Sequence, residues 1–165
     1  MSKCQKSVNY QYKGGETSRS AESIVEKTCG APLTFSPAAW ATLKAHFSDT
    51  GRKPEDYDAV ITGDLGHFGH ALLEELARRE GVSFPTVFTD CGMLLYNADQ
   101  QDAHAGGSGC GCSAAVFAGH ILKCLREGMW KRVLFAPTGA LMSVVTSQQG
   151  ESIPGICHAL ALEVE

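Results

Sequence analysis

The stretch QDAHAGGSGCGCSAAVFAGHILKCLREG, Gln101–Gly128, sets four glycines between positions 106 and 111 and two cysteines one residue apart directly ahead of an apolar run. From Ala114 to Ala118 that run is apolar on every side, and its end carries Arg126 and then Gly128. This pattern predicts a helix buried on all sides, with a cation in its last turn and a glycine stop. Downstream, RVLFAPTG (132–139) and ICHALALE (156–163) read as strands separated by the polar loop SQQGESIPG. Upstream, PTVFTDCG (85–92) reads as another strand. FGHALLEELARREG (68–81) is an amphipathic helix with Phe68, Leu72, Leu73 and Leu76 on one face and Gly81 as its stop. DYDAVITGD (56–64) is a short buried strand leading into a loop. In TFSPAAWATLKAHFSDTG (34–51), Ser36 can cap, Pro37 suits the first helical position, and Trp40, Leu43 and Phe47 share a face. Helices and strands therefore alternate, which predicts an α/β domain: a mixed, mostly parallel sheet with helices on both faces.

Bulk composition narrows the function. The chain has 165 residues, 44% of them hydrophobic, enough for one ordinary core. Its 14 basic and 18 acidic residues leave a net charge of −4 with no basic run, so no nucleic acid is expected as a partner. Seven cysteines and a polar N-terminus lacking an apolar signal segment point to a reducing, non-secreted setting. No stretch is long and apolar enough to span a bilayer. Residues 1–35 are read as a polar, irregular segment ahead of a single domain over 36–165.

The Gly-rich loop admits two chemical readings. Cys112 or Ser113 at a helix start would meet unpaired amides and the positive dipole end, which favour a thiolate or a bound carboxylate. Alternatively, small residues let a buried helix pack tightly and the cysteines serve as small hydrophobes. Zinc is not expected, because Cys110-x-Cys112 lacks the two-residue spacing of a knuckle and no second pair lies at ribbon distance. The glycines also follow no clear strand, so a dinucleotide fingerprint fails. Among the histidines, His46, His67 and His70 are expected on solvated helix surfaces and His120 packed within the apolar helix. His104 opens the Gly-rich loop and His158 follows ESIPGIC; both are placed to face one cleft.

Four ordered motifs carry a resemblance: DYDAVITGDLG (56–66), DCGMLLYNADQQDAHAGGSGCGCSAAV (90–116), RVLFAPTGALMS (132–143) and QQGESIPGICHAL (148–160). From about Ser36 to its end the chain resembles the C-terminal half of the stage V sporulation protein AD family. The resemblance implies a thiolase-like half-fold, one of two similar halves around a pseudo-twofold axis. Each half is a five-stranded mixed sheet opened by a central strand, for which only KSVNYQYKG is on offer here. It implies binding of dipicolinic acid without catalysis or cofactor, alongside the membrane proteins of the same operon, in the cytoplasm or at the forespore inner membrane. Cys112 becomes the pseudo-symmetric counterpart of a nucleophile, and the ligand-facing set becomes His158, His104, Gly106, Gly107 and Cys112. A thiolase-like acyltransferase and a ligand-free assembly subunit are the rival readings. Without a first half, the chain is expected to self-associate or to take a first-half polypeptide as partner.

Overall fold

The computed structural model describes residues 8–10, 32–84, 87–97, 100–140, 145, 148–149 and 155–164. Among them the order is β1 (Val8–Tyr10), α1 (Pro32–Thr50), a 3-10 turn (Pro54–Asp56), β2 (Ala59–Thr62), α2 (Gly66–Arg79), β3 (Phe88–Asp90) and α3 (Cys91–Leu94). Then come α4 (Cys112–Val116), a π turn (Phe117–Ile121), α5 (Leu122–Arg126), β4 (Arg132–Ala136), β5 (Thr138–Ala140), β6 (Gly155–Cys157) and β7 (Leu160–Glu163). This is the expected α/β alternation, consistent with a thiolase-like half. Most of the expected irregular N-terminal segment, and most of the loop before Gly155, lie outside the described residues.

The sheet is built around β2. That strand is buried along its whole length and pairs in parallel with β3 on one side and β4 on the other. β4 pairs antiparallel with β7, and β5 with β6. The two antiparallel pairs form one ribbon in a single register: Phe135 faces Leu160, and the same step along both chains brings Thr138 opposite Cys157. Between them Pro137 has no N–H to give, so only His158 N–H bridges, to the Pro137 carbonyl at 3.1 Å. A proline deletes ladder bonds, and each strand read from the sequence is thereby split into two short ones. β1 then pairs antiparallel with β6. Within KSVNYQYKG, Val8–Tyr10 is thus a strand at the edge and not at the centre: β2 and β4 pair directly, Ala59 with Val133 through Thr62 with Ala136, and leave no central place for it.

Strand alternation divides the core in two. Val60, Leu134, Ala136, Cys157 and Ala159 face α1 and α2, packing with Ala38, Ala39, Trp40, Leu43, Leu73 and Ala77. Ala59, Ile61, Val133 and Phe135 face the other way, against Cys112, Val116, Ile121 and Leu125 of the helix spanning 112–126. Helices therefore cover both faces, as expected.

Several local expectations are corrected. α1 begins upstream of Ser36, and Pro37 lies inside it. Ser36 therefore lies within the helix and not at its cap position; its buried hydroxyl donates to the Gly69 carbonyl at 2.8 Å and ties α1 to α2. The buried stripe of α2 is Gly66, Gly69, His70, Leu73 and Ala77, while Phe68 is 51% exposed. His46 and His70 are buried, not solvated. His46 joins the Leu43 face of α1 and hydrogen-bonds the Tyr57 hydroxyl, and the His70 ring lies tilted against Phe88, centroids 4.2 Å apart. Both are held below the ordinary histidine value, chiefly by burial.

Candidate functional site

The largest departure from expectation concerns the apolar helix. Ala114, Ala115, Ala118, Gly119 and His120 are exposed, although the sequence predicts burial all round. His120 lies edge-on to Trp130 and beside the Cys124 sulfur at 3.7 Å, at the surface and not in the core. Beside this face Leu94, Leu95 and Tyr96 are 42%, 41% and 47% exposed. Together Leu94, Leu95, Ala115, Val116, Gly119 and His120 line a groove of about 300 Å³. One wall of this half is apolar and open.

The second feature lies at the carboxyl ends of the parallel strands, where open α/β sheets bind ligands. The β2 connection leaves toward α2 on one face, and the β3 connection leads to the 112–126 helix on the other. In the loop after β2, the Gly63 carbonyl faces the Cys112 thiol at 3.7 Å. A Cβ on Gly63 would lie 2.5 Å from the Thr138 nitrogen and 2.7 Å from the Ser113 hydroxyl, so only glycine fits between these chains. Asp64 Oδ1 accepts from the Thr138 hydroxyl at 2.8 Å, and its Oδ2 from Gly109 N–H at 3.3 Å. Gly63, Asp64, Ser113, Cys112, Pro137 and Thr138 are thereby gathered at one point. His158 sits opposite Pro137 with its side chain exposed. By alternation it projects from the face opposite Cys157, the same face as the 112–126 helix.

The Gly-rich loop docks on the neighbouring ends of β2 and β3. His67 N–H donates to the Ala105 carbonyl at 2.8 Å, and Gly107 N–H to the Gly92 carbonyl at 2.7 Å. A Cβ on Gly66 would meet the Ala105 oxygen at 2.2 Å, and one on Gly92 the Gly107 oxygen at 2.1 Å. Main chain presses on main chain at both points. Gly106 N–H is likewise used, by the Ala103 carbonyl at 2.6 Å. His104 takes a left-handed φ of 30°, which few non-glycine residues adopt, and its exposed ring lies 3.0 Å from Asp102. Of the sequence-predicted residues, Cys112 and His158 therefore share the strand-end site through Gly63 and Pro137. Gly106 and Gly107 serve loop docking, and His104 stands out in solvent.

The buried thiols of Cys112 and Cys91 are held in the neutral form. Burial, with the Asp90 and Asp64 carboxylates nearby, pushes Cys112 up to about 11. Cys91 behind it is pushed up to about 12 for the same reasons, together with its neighbour Cys112. Sequence reasoning missed Gly63, Asp64, Asp90 and Thr138. The GD that closes DYDAVITGD and the TG that closes RVLFAPTG were the available signals, since polar residues at strand carboxyl ends are where such sites form.

Among the described residues no group of three or more His, Cys, Asp or Glu side chains is placed to hold a metal ion. None of the described helices is long and apolar enough to cross a membrane. A family model described as Stage V sporulation protein AD matches residues 25–163. The chain is 46% identical over 129 residues to the Stage V sporulation protein AD of Bacillus subtilis (strain 168), a match covering 78% of this chain and 38% of that relative.

Proposed function

Because this chain belongs to the stage V sporulation protein AD family, we propose that it is a ligand-facing half of a non-enzymatic dipicolinate-binding protein, acting in dipicolinate uptake during spore formation. It works in the cytoplasm or at the forespore inner membrane, beside other stage V sporulation A proteins. The observation that supports binding over turnover is the pairing of a neutral thiol with an exposed imidazole at one set of strand ends. Cys112 is pushed up to about 11, too high to supply a thiolate near neutral pH, while His158 is exposed to incoming ligand. A pyridine dicarboxylate carries two negative charges, and a protonatable histidine is a fitting partner for one of them.

A second element of this reading rests on the open wall. The matched stretch is 38% of the relative, so more than half of that protein lies outside it. The apolar groove between Leu95 and Gly119 is the seat for a complementary thiolase-like half.

Calorimetric titration of dipicolinate tests the ligand claim, with the chain alone and mixed with a first-half polypeptide. His158→Ala should weaken binding roughly tenfold or more, the loss of a charge-assisted hydrogen bond. Equal affinities for two folded proteins, or no binding by the wild type in either setting, would overturn it. Mass spectrometry after incubation with acetyl-CoA should show no acyl adduct. A stable adduct on Cys110 or Cys112 would return the protein to the acyltransferases.

A further inference from the structure

Asp90 closes β3 with none of its surface exposed. All the hydrogen bonds its carboxylate receives come from the two diverging strand ends. Oδ2 accepts from the Thr62 hydroxyl at 2.7 Å and from Leu65 N–H at 3.1 Å. Oδ1 accepts from Gly66 N–H at 2.9 Å and from Gly92 N–H at 2.8 Å. These last two glycines are where the Gly-rich loop comes down, Ala105 over Gly66 and Gly107 over Gly92. One carboxylate oxygen therefore holds both landing points of a loop that Asp90 itself is not seen to touch.

We infer that Asp90 is a positioning residue for the Gly-rich loop: it fixes the Gly66 and Gly92 main chains so that segment 105–107 docks in one register, which sets where His104 and the start of the 112–126 helix stand. The physical requirement is for four acceptor directions on one side chain, facing donors only. A carboxylate meets it, with two oxygens and about four lone-pair sites. An asparagine does not: whichever way its amide turns, the NH2 group faces at least one N–H donor, Leu65 on one side or Gly66 and Gly92 on the other, and leaves it buried and unsatisfied. The close approaches at Gly66 and Gly92 leave no slack: with Cβ positions already 2.1–2.2 Å from loop oxygens, a small shift of either glycine moves the loop.

Native-state amide exchange on the whole chain tests this without any mutation. His67 and Gly107 donate the two docking bonds, so their amides should be protected and should open together, within about threefold of each other. Rates differing by tenfold or more would contradict a common anchor. In Asp90→Asn those two amides should exchange at least tenfold faster, while Val133 and Leu134 in β4 keep their wild-type rates. Equal acceleration everywhere would make Asp90 a general stability residue and overturn the inference. Thr62→Val removes one hydrogen bond from Oδ2 and leaves both glycine bonds in place; it should leave the loop amides unchanged, and loop opening matching that of Asp90→Asn would likewise overturn it. The inference bears on ligand binding only through the proposed function, so dipicolinate affinity is a separate arm. If the wild type binds, Asp90→Asn should bind at least tenfold more weakly, and unchanged affinity with a loosened loop would detach the loop from the ligand. If the wild type does not bind, the function fails while the exchange result still judges the anchor.

Discussion

The two faces of this sheet are finished to different degrees. On one, α1 and α2 lie side by side over Val60, Leu134 and Ala136, and polar side chains such as Ser36 and Thr42 are tied in, to the Gly69 and Cys157 carbonyls. On the other, the single 112–126 helix covers Ile61 and Phe135 with one side and turns Ala114, Ala115, Ala118 and Gly119 outward. A helix covered on one side only should carry polar residues on the other. Over residues 114–119 the outer side here carries alanines and glycine, and polar residues follow only from His120 on, with Lys123 and Arg126, so the first part of its sequence is that of a helix between two layers. The difference teaches that composition reports on the intended environment of a surface, whether or not the cover is in the same chain.

Truncation should separate the faces most sharply. Leu43→Ala or Leu73→Ala, each fully buried between α1, α2 and the sheet, should lower stability by about 2–5 kcal/mol in denaturant unfolding. Ala118→Ser on the open face should change it by less than about 0.5 kcal/mol. If the two classes cost the same, the faces are not different in kind.

Acid should act on the finished face next. His46 and His70 are held below their ordinary value of 6.5, mainly by burial. The unfolded chain then takes up protons first as pH falls, so their contribution is complete above about 6.5 and is lost between there and their lower folded values. Each unit of depression is worth about 1.4 kcal/mol. The melting temperature should therefore fall between pH 7 and pH 5. His70→Phe should flatten that slope, because it removes the titrating imidazole, whose Nε2 is buried without a partner, while keeping a ring against Phe88. A steeper slope in the variant would contradict the assignment.

A smaller effect is expected at the rim of the same face. Trp40 Nε1 donates to Glu80 at 2.9 Å, and Lys44 bonds that carboxylate at the surface. Trp40→Phe should cost about 1 kcal/mol beyond any packing change. Lys44→Ala should cost less, since exposed pairs contribute little.

How far the sequence could be read follows the same division. β2 and α2 were legible because DYDAVITGD holds a short apolar run and Phe68, Leu72, Leu73 and Leu76 recur at helical spacing, though of these only Leu73 lies in the buried stripe of α2. His46 and His70 were misread as solvated although each lies three residues from a buried leucine on its own helix, Leu43 and Leu73. Position on the helix decides burial there, not residue type. The split of each long strand at Pro137 was foreseeable from the proline, whereas the edge position of Val8–Tyr10 was not, because pairing order is a non-local property. At the site, Cys112 and His158 could be named from the motifs they stand in. Asp90 could not, since its role arises only when the ends of β2 and β3 meet.

The central claim is that the 112–126 helix was built to be covered by a second half. The direct measurement is sedimentation equilibrium, with hydrogen exchange of that helix, on the chain alone and on an equimolar mixture with a polypeptide spanning the part of the Bacillus subtilis relative outside the matched stretch. A one-to-one complex is predicted, with the amides of Ala115, Ala118 and Gly119 slowed at least tenfold and with Gly119→Glu abolishing it. Gly119 is open to solvent, so that variant should fold as the wild type does. No complex from two folded partners, or a complex indifferent to Gly119→Glu, would contradict the account.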